Sequence, residues 1–495
     1  MPWHYQRIEQ TAGRRADARC EEGRVARAFR RPSSRLPWTR ARSTASPWRR
    51  PLTTTAALGP QDGYPPMRIA CYLVGVLIIA NILSFVDRQI LALLVGPIRR
   101  DLAITDTDIS VLHGFAFTIL YSFLGLPLGR FVDRHNRRLV IVAGVAIWSV
   151  MTIACGLANS FWELFAARVG VGIGEATLAP AAYSLISDAF RPDRRGTALS
   201  VYTSGIYLGI GAALTLGGLV IAMTNQQADV TLPLFGTVRS WQAAFIVVGL
   251  PGLLLAPLIL TITEPPRRRP LSAAANVTPD DALRYLKGNG RAFLFTLLAY
   301  DCFAMAAYAA GSWVPTVFVR VHHWPMAQTG LYYGLAIMVM GCAGGALAGI
   351  FGDRMIGANL DGRLRLSLYS IPLWILAIAT GTLSGDPWIA LAGFGFSAFF
   401  SSVSNCIGPT VVQEMTPGRL RGQATALYFF TQNLFSLTLG PMAVALVTDK
   451  IFHDDTAVAA SILVVALPAI LLGGLFTLLA RRPFTQTRQT LELAA

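Results

Sequence analysis

Residues 129–138 read Gly-Arg-Phe-Val-Asp-Arg-His-Asn-Arg-Arg, and the later stretch 349–354 reads Gly-Ile-Phe-Gly-Asp-Arg. Both stretches have the form GxxxDR, and each follows a long apolar run. A second pattern, in which an acid precedes an Arg-Gly pair, occurs over 188–198 and again over 414–424. The two patterns recur at nearly the same offset along the chain, and their internal spacing is kept. Two such matches predict a chain built from two similar halves.

The apolar residues of this chain lie in long clusters. Of its 495 residues, 53% are hydrophobic and only 14% are charged, whereas a soluble protein carries about a quarter charged residues. A run of about 20 apolar residues can cross about 30 Å of hydrocarbon. Twelve such runs lie at about 69–95, 109–131, 138–157, 162–186, 197–223, 241–263, 291–319, 329–352, 365–384, 387–413, 422–448 and 456–480. The sequence therefore predicts an all-α membrane protein with twelve transmembrane helices in two parallel six-helix halves.

The polar segments divide the chain into five parts. Residues 1–66 are an Arg-rich leader, which is interpreted as disordered, as an organellar transit peptide, or as a misassigned start upstream of Met67. The predicted parts after it are a first six-helix bundle at 67–263, a cytoplasmic linker at 264–290, a second bundle at 291–484 and a cytoplasmic tail at 485–495. Parallel halves of this kind place a substrate site between them, near the midplane of the membrane.

The net charge of +15 is distributed by loop. If the amino terminus is inside, the inner loops carry Arg130, Arg134, Arg137, Arg138, Arg191, Arg194, Arg195, Arg267, Arg268, Arg269, Arg354, Arg363, Arg365, Arg419, Arg421, Arg481 and Arg482. The opposite face carries only Arg99, Arg100, Arg239, Arg320 and Lys450. This asymmetry follows the positive-inside rule and predicts that both termini are cytoplasmic. It argues against a nucleic-acid partner. The preference for arginine over lysine favours a bacterial inner membrane.

Four charged side chains lie well inside the predicted spans of the first half, away from the span ends: Asp87, Arg88, Arg168 and Glu175. Arg168 and Glu175 are separated by almost two helical turns, so both leave the same helix face. Each charge costs about 2.5–3.5 kcal/mol at the centre of a membrane helix, and such charges persist where they pair, line water or have a function. At 1.5 Å per residue, Asp87 and Arg168 lie at similar depths, roughly 12 and 9 Å from the membrane surface.

These positions give a hypothesis for proton coupling. Asp87 is expected to exchange protons and to pair with Arg168, with Arg88 in the same cavity. Glu175 is expected to be a second titrating or substrate-contacting carboxylate. Burial disfavours a charged carboxylate and a nearby arginine favours it, so opening of the site can load and unload a proton. The alternative is a static ion-pair network that fixes helix packing.

The stretch at 129–138 matches the loop 2–3 motif GxxxDRxxRR of the major facilitator superfamily, and the chain resembles that superfamily. Three further stretches resemble its Spinster-like branch: 81–89 (Asn-Ile-Leu-Ser-Phe-Val-Asp-Arg-Gln), 113–116 (His-Gly-Phe-Ala) and 168–181. The similarity covers roughly residues 67–484. It implies a proton-linked or facilitative carrier, and some members of the branch carry lysophospholipids and sphingosine-type lipids.

The motif residues of loop 2–3 predict a conformational gate. Asp133 at a helix end can accept hydrogen bonds from the start of a neighbouring helix and can pair with arginine. The predicted gate comprises Gly129, Asp133, Arg134, Arg137, Arg138 and, in the looser second copy, Asp353 and Arg354. The alternative is ordinary cytoplasmic positive charge.

In the second half, the spans carry polar and aromatic residues that can line a cavity. Asp301 is the only carboxylate there that lies well inside a span, and Tyr428 and Asn433 are placed in the same cavity; packing of the aromatic rings is the alternative. No histidine has a metal-site companion, and His113 is interpreted as a hydrogen-bonded helix-end residue. The sequence therefore predicts no metal, cofactor or catalytic residue.

Together these features predict a secondary active transporter that works by alternating access. The expected substrate is an amphipathic or anionic organic molecule, because fixed arginines would lie beside apolar walls. A passive uniporter of the same fold is an alternative, and an intramembrane lipid-modifying enzyme is another. The implied partners are a small-molecule substrate, protons and the lipid bilayer, and the chain is interpreted as a monomer.

Overall fold

The computed structural model describes residues 64–223, 229–232, 236–267, 279–417 and 420–493. The predicted leader therefore lies almost wholly outside the described residues, as does the middle of the predicted linker. Within the described residues, twelve helices are long and apolar enough to cross a membrane. The predicted number of spans is confirmed.

The first half contains spans one to six. They are Met67–Leu93; Asp106–Ser110, Val111–Phe115 and Ala116–Arg134; Arg137–Cys155; Phe161–Glu175 and Leu178–Ala189; Pro192–Met223; and Ser240–Leu260. A short helix, Val95–Leu102, follows span one. Strands Asp229–Leu232 and Gly236–Arg239 form an antiparallel hairpin between spans five and six, with Asp229 opposite Arg239.

The second half contains spans seven to twelve, after a linker helix at Pro279–Gly288. They are Gly290–Arg320; Met326–Ala358; Gly362–Leu383; Pro387–Glu414; Arg421–Thr431, Gln432–Leu437, Thr438–Leu446 and Val447–Phe452; and Asp455–Ala457 with Val458–Leu493. The last helix runs past residue 484, where the sequence predicts the start of a tail. Arg488 explains the extension, because it bonds to Leu360 O at 2.8 Å and to Glu492 at 3.1 Å.

Two spans contain π-helical turns that the apolar pattern does not predict. Val111–Phe115 interrupts span two, and Gln432–Leu437 interrupts span eleven. The two segments approach each other closely: a Cβ atom on Gly114 would lie 2.7 Å from the carbonyl oxygen of Leu437. Glycine is therefore required at this crossing of the two halves. π-Helical turns occur frequently at functional sites.

Spans five and eight make a second close contact between the halves. A Cβ atom on Gly211 would lie 2.6 Å from the carbonyl oxygen of Gly334, and one on Gly218 would lie 3.0 Å from that of Ala327. Both contacts lie toward the end of the molecule that carries the loop between spans one and two. This end is called the loop 1–2 end below, and the opposite end is the loop 2–3 end.

Candidate functional site

Spans one and four bring four charged residues into the interior of the first half. Asp87, Arg88, Arg168 and Glu175 are 2%, 5%, 0% and 2% exposed. Span four breaks immediately after Glu175, and a new helix begins at Leu178. Charges at this depth are costly unless they are paired and hydrogen-bonded, so their contacts define what the site can do.

Arg88 forms an ion pair with Glu175. Its Nη2 donates to Glu175 Oε2 at 2.7 Å. The guanidinium also lies over three aromatic rings, 4.8 Å from the centroid of Phe85, 4.3 Å from that of Phe117 and 5.2 Å from that of Tyr121. Cation–π contacts stabilise a desolvated guanidinium. Arg88 is therefore a fixed cation in an aromatic environment, with one carboxylate partner.

The sequence predicts an ion pair between Arg168 and the carboxylate of Asp87, but the structure shows that Arg168 bonds elsewhere. Its Nη1 donates to the backbone carbonyl of Asp87 at 2.9 Å, and its Nη2 donates to that of Arg88 at 3.3 Å. The Asp87 side chain instead reaches span three, where Thr152 Oγ1 donates to Oδ2 at 3.1 Å. Helical spacing gives the depth of these residues, but it does not give the direction in which Asp87 leaves span one. The guanidinium therefore binds span one through its main chain.

Asp87 and Glu175 each keep one buried carboxylate oxygen without a hydrogen-bond partner in the described part of the chain, Oδ1 and Oε1 respectively. A buried, unsatisfied oxygen carries a desolvation penalty that is larger when the group is charged. A proton on either carboxyl removes the charge and supplies a donor. The arrangement is therefore chemically suited to binding a proton.

His113 is a residue of this region whose position sequence reasoning missed. It is buried inside the π-helical turn of span two rather than hydrogen-bonded at a helix end, and its Nε2 has no partner among the described residues. It lines a cavity of about 10 Å³ with residues of both halves, including Ser110, Ser312 and Trp313. That volume is about what one water molecule needs. The one sequence signal for this buried position is that a histidine lies beside an apolar run.

The site residues predicted in the second half lie on spans seven and eleven. Asp301 Oδ1 accepts a hydrogen bond from Thr431 at 3.3 Å. The hydroxyl of Tyr428 accepts one from Gln432 at 3.1 Å. Asn433 donates at 2.7 Å to the carbonyl of Phe429 in its own helix. Asp301 is thus a partly buried carboxylate with a hydroxyl partner, and the side-chain amide of Asn433 is bonded to the backbone of its own helix.

The predicted gate residues at the loop 2–3 end are described in part. The surroundings of Gly129 and the side chains of Asp133 and Asp353 lie outside what the structure describes. Arg134 and Arg354 are exposed. Arg138 donates to the carbonyls of Leu260 and Ile262 at 3.0 and 3.1 Å.

Arg137 is the buried member of this group. It bonds to Asp188 at 2.5 Å and to Glu264 at 2.9 Å. Asp188 lies at the end of span four, and Glu264 follows span six. Arg363 pairs in the same way with Glu414 in the second half. Arg363 follows Arg137 by the same offset at which Glu414 follows Asp188. The internal repeat therefore extends to an ion pair. The predicted gate includes Arg137 but not its partner Asp188, and it includes neither Arg363 nor Glu414.

The loop 1–2 end carries an ion network between the halves that sequence reasoning missed. Asp106, at the start of span two, is paired with Arg320 at 2.6 Å and with Arg99 at 3.2 Å. Arg99 also bonds to Asp455 at 2.7 Å. Thr107 donates through its backbone nitrogen and hydroxyl to Asp449, at 2.9 and 2.7 Å. These contacts link spans two, seven, eleven and twelve.

Twelve membrane-crossing helices in two parallel halves, with ion pairs that join the halves at one end and buried charges inside the first half, are typical of a multi-pass membrane transporter. The chain belongs to the Major Facilitator Superfamily, whose family model matches residues 77–441. This membership identifies the protein as a transporter rather than an enzyme, and it confirms the superfamily that the loop 2–3 motif predicted.

Individual relatives agree with this assignment. The chain is 29% identical over 402 residues to an MFS-type efflux pump of Mycolicibacterium smegmatis, covering 79% of this chain and 87% of the pump. It is 25% identical over 480 residues to protein spinster homolog 3 of Danio rerio, covering 89% of each. A crystal structure of a bacterial homolog of the human lysosomal transporter Spinster superposes with a TM-score of 0.68 at 22% identity, covering 86% of this chain and 98% of that one. The similarity to Spinster-like transporters is therefore confirmed, and the last comparison shows the shared fold.

Proposed function

We propose that the protein is a proton-coupled secondary active transporter that moves an amphipathic or anionic organic solute by alternating access. The observation that carries the proposal is the buried carboxyl of Asp87, which shares the interior of the first half with Arg88, Arg168 and Glu175 and leaves Oδ1 unpaired among the described residues. A membrane protein retains such a costly arrangement where it pairs or has a function. Here the pairing is incomplete, which favours proton exchange over a purely static network.

Contacts at the two ends of the molecule support alternating access. The ion pairs of Arg320 and Arg99 at the loop 1–2 end join the two halves. At the loop 2–3 end, the pairs that Arg137 makes with Asp188 and Arg363 makes with Glu414 each lie within one half. By the positive-inside rule, the loop 2–3 end faces the cytoplasm with both termini, in a bacterial inner membrane. The arrangement described is then closed toward the outside.

The surroundings of Arg88 support an anionic substrate with an apolar part. Glu175 occupies one side of this guanidinium at 2.7 Å, and the rings of Phe85, Phe117 and Tyr121 lie around it. An anionic head group can replace Glu175 as the partner of Arg88 once Glu175 is protonated. The substrate's apolar part would then lie against the aromatic rings. Proton binding and substrate binding are linked at one cation in this scheme.

Transport assays in proteoliposomes test this proposal. The purified protein is reconstituted, a pH gradient is imposed, and uptake of labelled lysophospholipids and aryl carboxylates is measured. We expect the gradient to drive uptake by the wild type and Asp87→Asn to abolish that drive. Glu163→Gln is the matched control, because it removes an exposed carboxylate from span four, the span that carries Arg168 and Glu175, and it should leave the gradient-driven uptake unchanged. Gradient-driven uptake retained by Asp87→Asn would refute proton coupling at this residue, and uptake indifferent to any gradient would favour a uniporter.

A further inference from the structure

A cavity lies in the second half, far along the chain from the buried charges of spans one and four. It is formed where the end of span twelve passes the start of span nine, at the loop 2–3 end. Its volume is about 390 Å³, and it is lined by Asp361, Leu478, Arg481, Arg482, Thr485 and Gln486. The volume falls within the range of about 300–1,000 Å³ that is typical of ligand clefts.

The charges around this cavity favour an anion. Asp361 is buried, and both of its carboxylate oxygens are already bonded, Oδ1 to Arg365 Nε at 2.8 Å and Oδ2 to Arg481 Nε at 2.7 Å. Two guanidinium groups against one carboxylate leave one positive charge in excess. Arg482 adds a second positive charge, and it is exposed, with no ion pair or hydrogen bond to the described part of the chain.

The hydrogen-bond donors that remain free suit a phosphodiester. The hydroxyl of Thr485 donates to the carbonyl of Arg481 at 2.8 Å, so its proton is already used. The guanidinium of Arg482, the side-chain amide of Gln486 and the Nη groups of Arg481, which bonds to Asp361 through Nε, supply the remaining N–H groups. A guanidinium binds a phosphate group through two parallel hydrogen bonds, which gives a directed contact as well as charge.

An apolar stripe on the same helix leads away from the cavity. Leu478 lines the cavity, and Leu475 and Leu471 precede it by about one and two helical turns, so all three lie on one side of span twelve. Each has about half of its surface exposed. Exposed leucines on a membrane span face acyl chains. A ligand with both an anionic head and apolar chains therefore fits this place better than a free anion does.

We propose that this cavity binds the headgroup of an anionic phospholipid, with its phosphodiester on Arg482 and Gln486 and its chains along Leu478, Leu475 and Leu471. Basic pockets between spans on the cytoplasmic side are suited to anionic headgroups, and each arginine near the surface contributes about 1 kcal/mol, or about fivefold in affinity. The site is separate from the substrate site, so the inference does not depend on the transported molecule or on proton coupling.

Native mass spectrometry of the full chain in detergent tests the proposal. The protein is titrated with phosphatidylglycerol, with phosphatidylcholine of the same acyl chains, and with glycerol phosphate. We expect phosphatidylglycerol to bind several-fold more tightly than the other two. Arg482→Gln should weaken its binding about fivefold. The matched control is Arg284→Gln, which removes an exposed arginine from the linker helix and should leave binding unchanged.

Three outcomes would overturn the proposal. Equal binding of phosphatidylglycerol and phosphatidylcholine would show that the cavity does not select charge. Binding of glycerol phosphate as tightly as the lipid would identify a site for a free phosphate. An equal loss in Arg482→Gln and Arg284→Gln would show a general effect of surface charge.

Discussion

Arg320 of span seven donates hydrogen bonds of 2.6 and 2.8 Å to the two carboxylate oxygens of Asp106, which begins span two of the opposite half. Asp106 is fully buried, and Arg99 lies 3.2 Å from it on the other side. A bidentate pair of this kind has a fixed geometry. Separation of the halves at the loop 1–2 end must break it, so the pair acts as a latch that stabilises the arrangement closed at this end.

Replacement of Arg320 should open the loop 1–2 end. Arg320→Gln removes the bidentate partner of a buried carboxylate, and we expect the closed arrangement to lose about 2 kcal/mol, roughly a thirtyfold change in the equilibrium. Spin labels at Asn159→Cys and Gly385→Cys, in a background without native cysteines, report the distance between the halves. Both positions are exposed in loops at this end. Double electron–electron resonance should show a longer distance in the variant.

Arg100 provides the control for this experiment. It lies beside Arg99, its side chain is 78% exposed, and its one ion-pair contact with the described residues is to Asp101, at 3.8 Å. Arg100→Gln removes one positive charge from the same end and should leave the label distance unchanged. An equal shift in both variants would attribute the effect to net charge and would count against the latch.

Substitution of Gly114 tests whether the close contact between spans two and eleven controls closure of the loop 1–2 end. In Gly114→Ala the new Cβ would lie 2.7 Å from Leu437 O, a separation that backbone movement must relieve. We expect the halves to separate here and the label distance to increase as for Arg320→Gln. Gly125→Ala changes the same span at a position where the new Cβ would meet no packed atom of the described residues within 4 Å, so it should behave as the wild type. A wild-type distance in both variants would show that this crossing does not control closure.

The Arg88–Glu175 pair should contribute to stability as well as to transport. Arg88→Met leaves the Glu175 carboxylate buried without its partner, and removal of one member of a buried pair costs about 3–5 kcal/mol. The double variant Arg88→Met with Glu175→Gln should recover most of this loss, because no unpaired charge remains. Thermal unfolding in detergent measures both effects. Uptake in proteoliposomes should remain low in the double variant, whereas recovered uptake would support a purely static role for the pair.

The sequence predicts the spans well because span length depends on local composition. Pairing inside the bundle depends on where side chains point, which the spacing of residues does not give. Arg168 shows this: its predicted depth matches that of Asp87, yet it bonds to main-chain carbonyls because the Asp87 side chain turns toward Thr152. The π-helical turn at Val111–Phe115 also has no composition signal, since it is an extra residue accommodated within an apolar run.

The ion pair of Arg320 with Asp106 could not be predicted from the sequence. Asp106 lies in a polar stretch before span two, where Thr105 and Asp108 form an ordinary helix cap, so nothing local distinguishes it. Its bidentate partner, Arg320, is distant along the chain and lies in the opposite half. By contrast, the pair of Arg363 with Glu414 was accessible from the sequence, because it repeats that of Arg137 with Asp188 at the same offset.

We expect a proton on Asp87 to control the exchange between the two arrangements of the halves. Burial of an unpaired carboxylate oxygen is less costly when the group is neutral. Lowering the pH should therefore shorten the distance between labels at Asn159→Cys and Gly385→Cys when Asp87 is present. In Asp87→Asn the distance should be short at every pH, because the side chain is always neutral. The same measurement on Glu175→Gln shows how much of the pH dependence of the label distance comes from the Glu175 carboxyl. A wild-type pH response retained in Asp87→Asn would contradict the account.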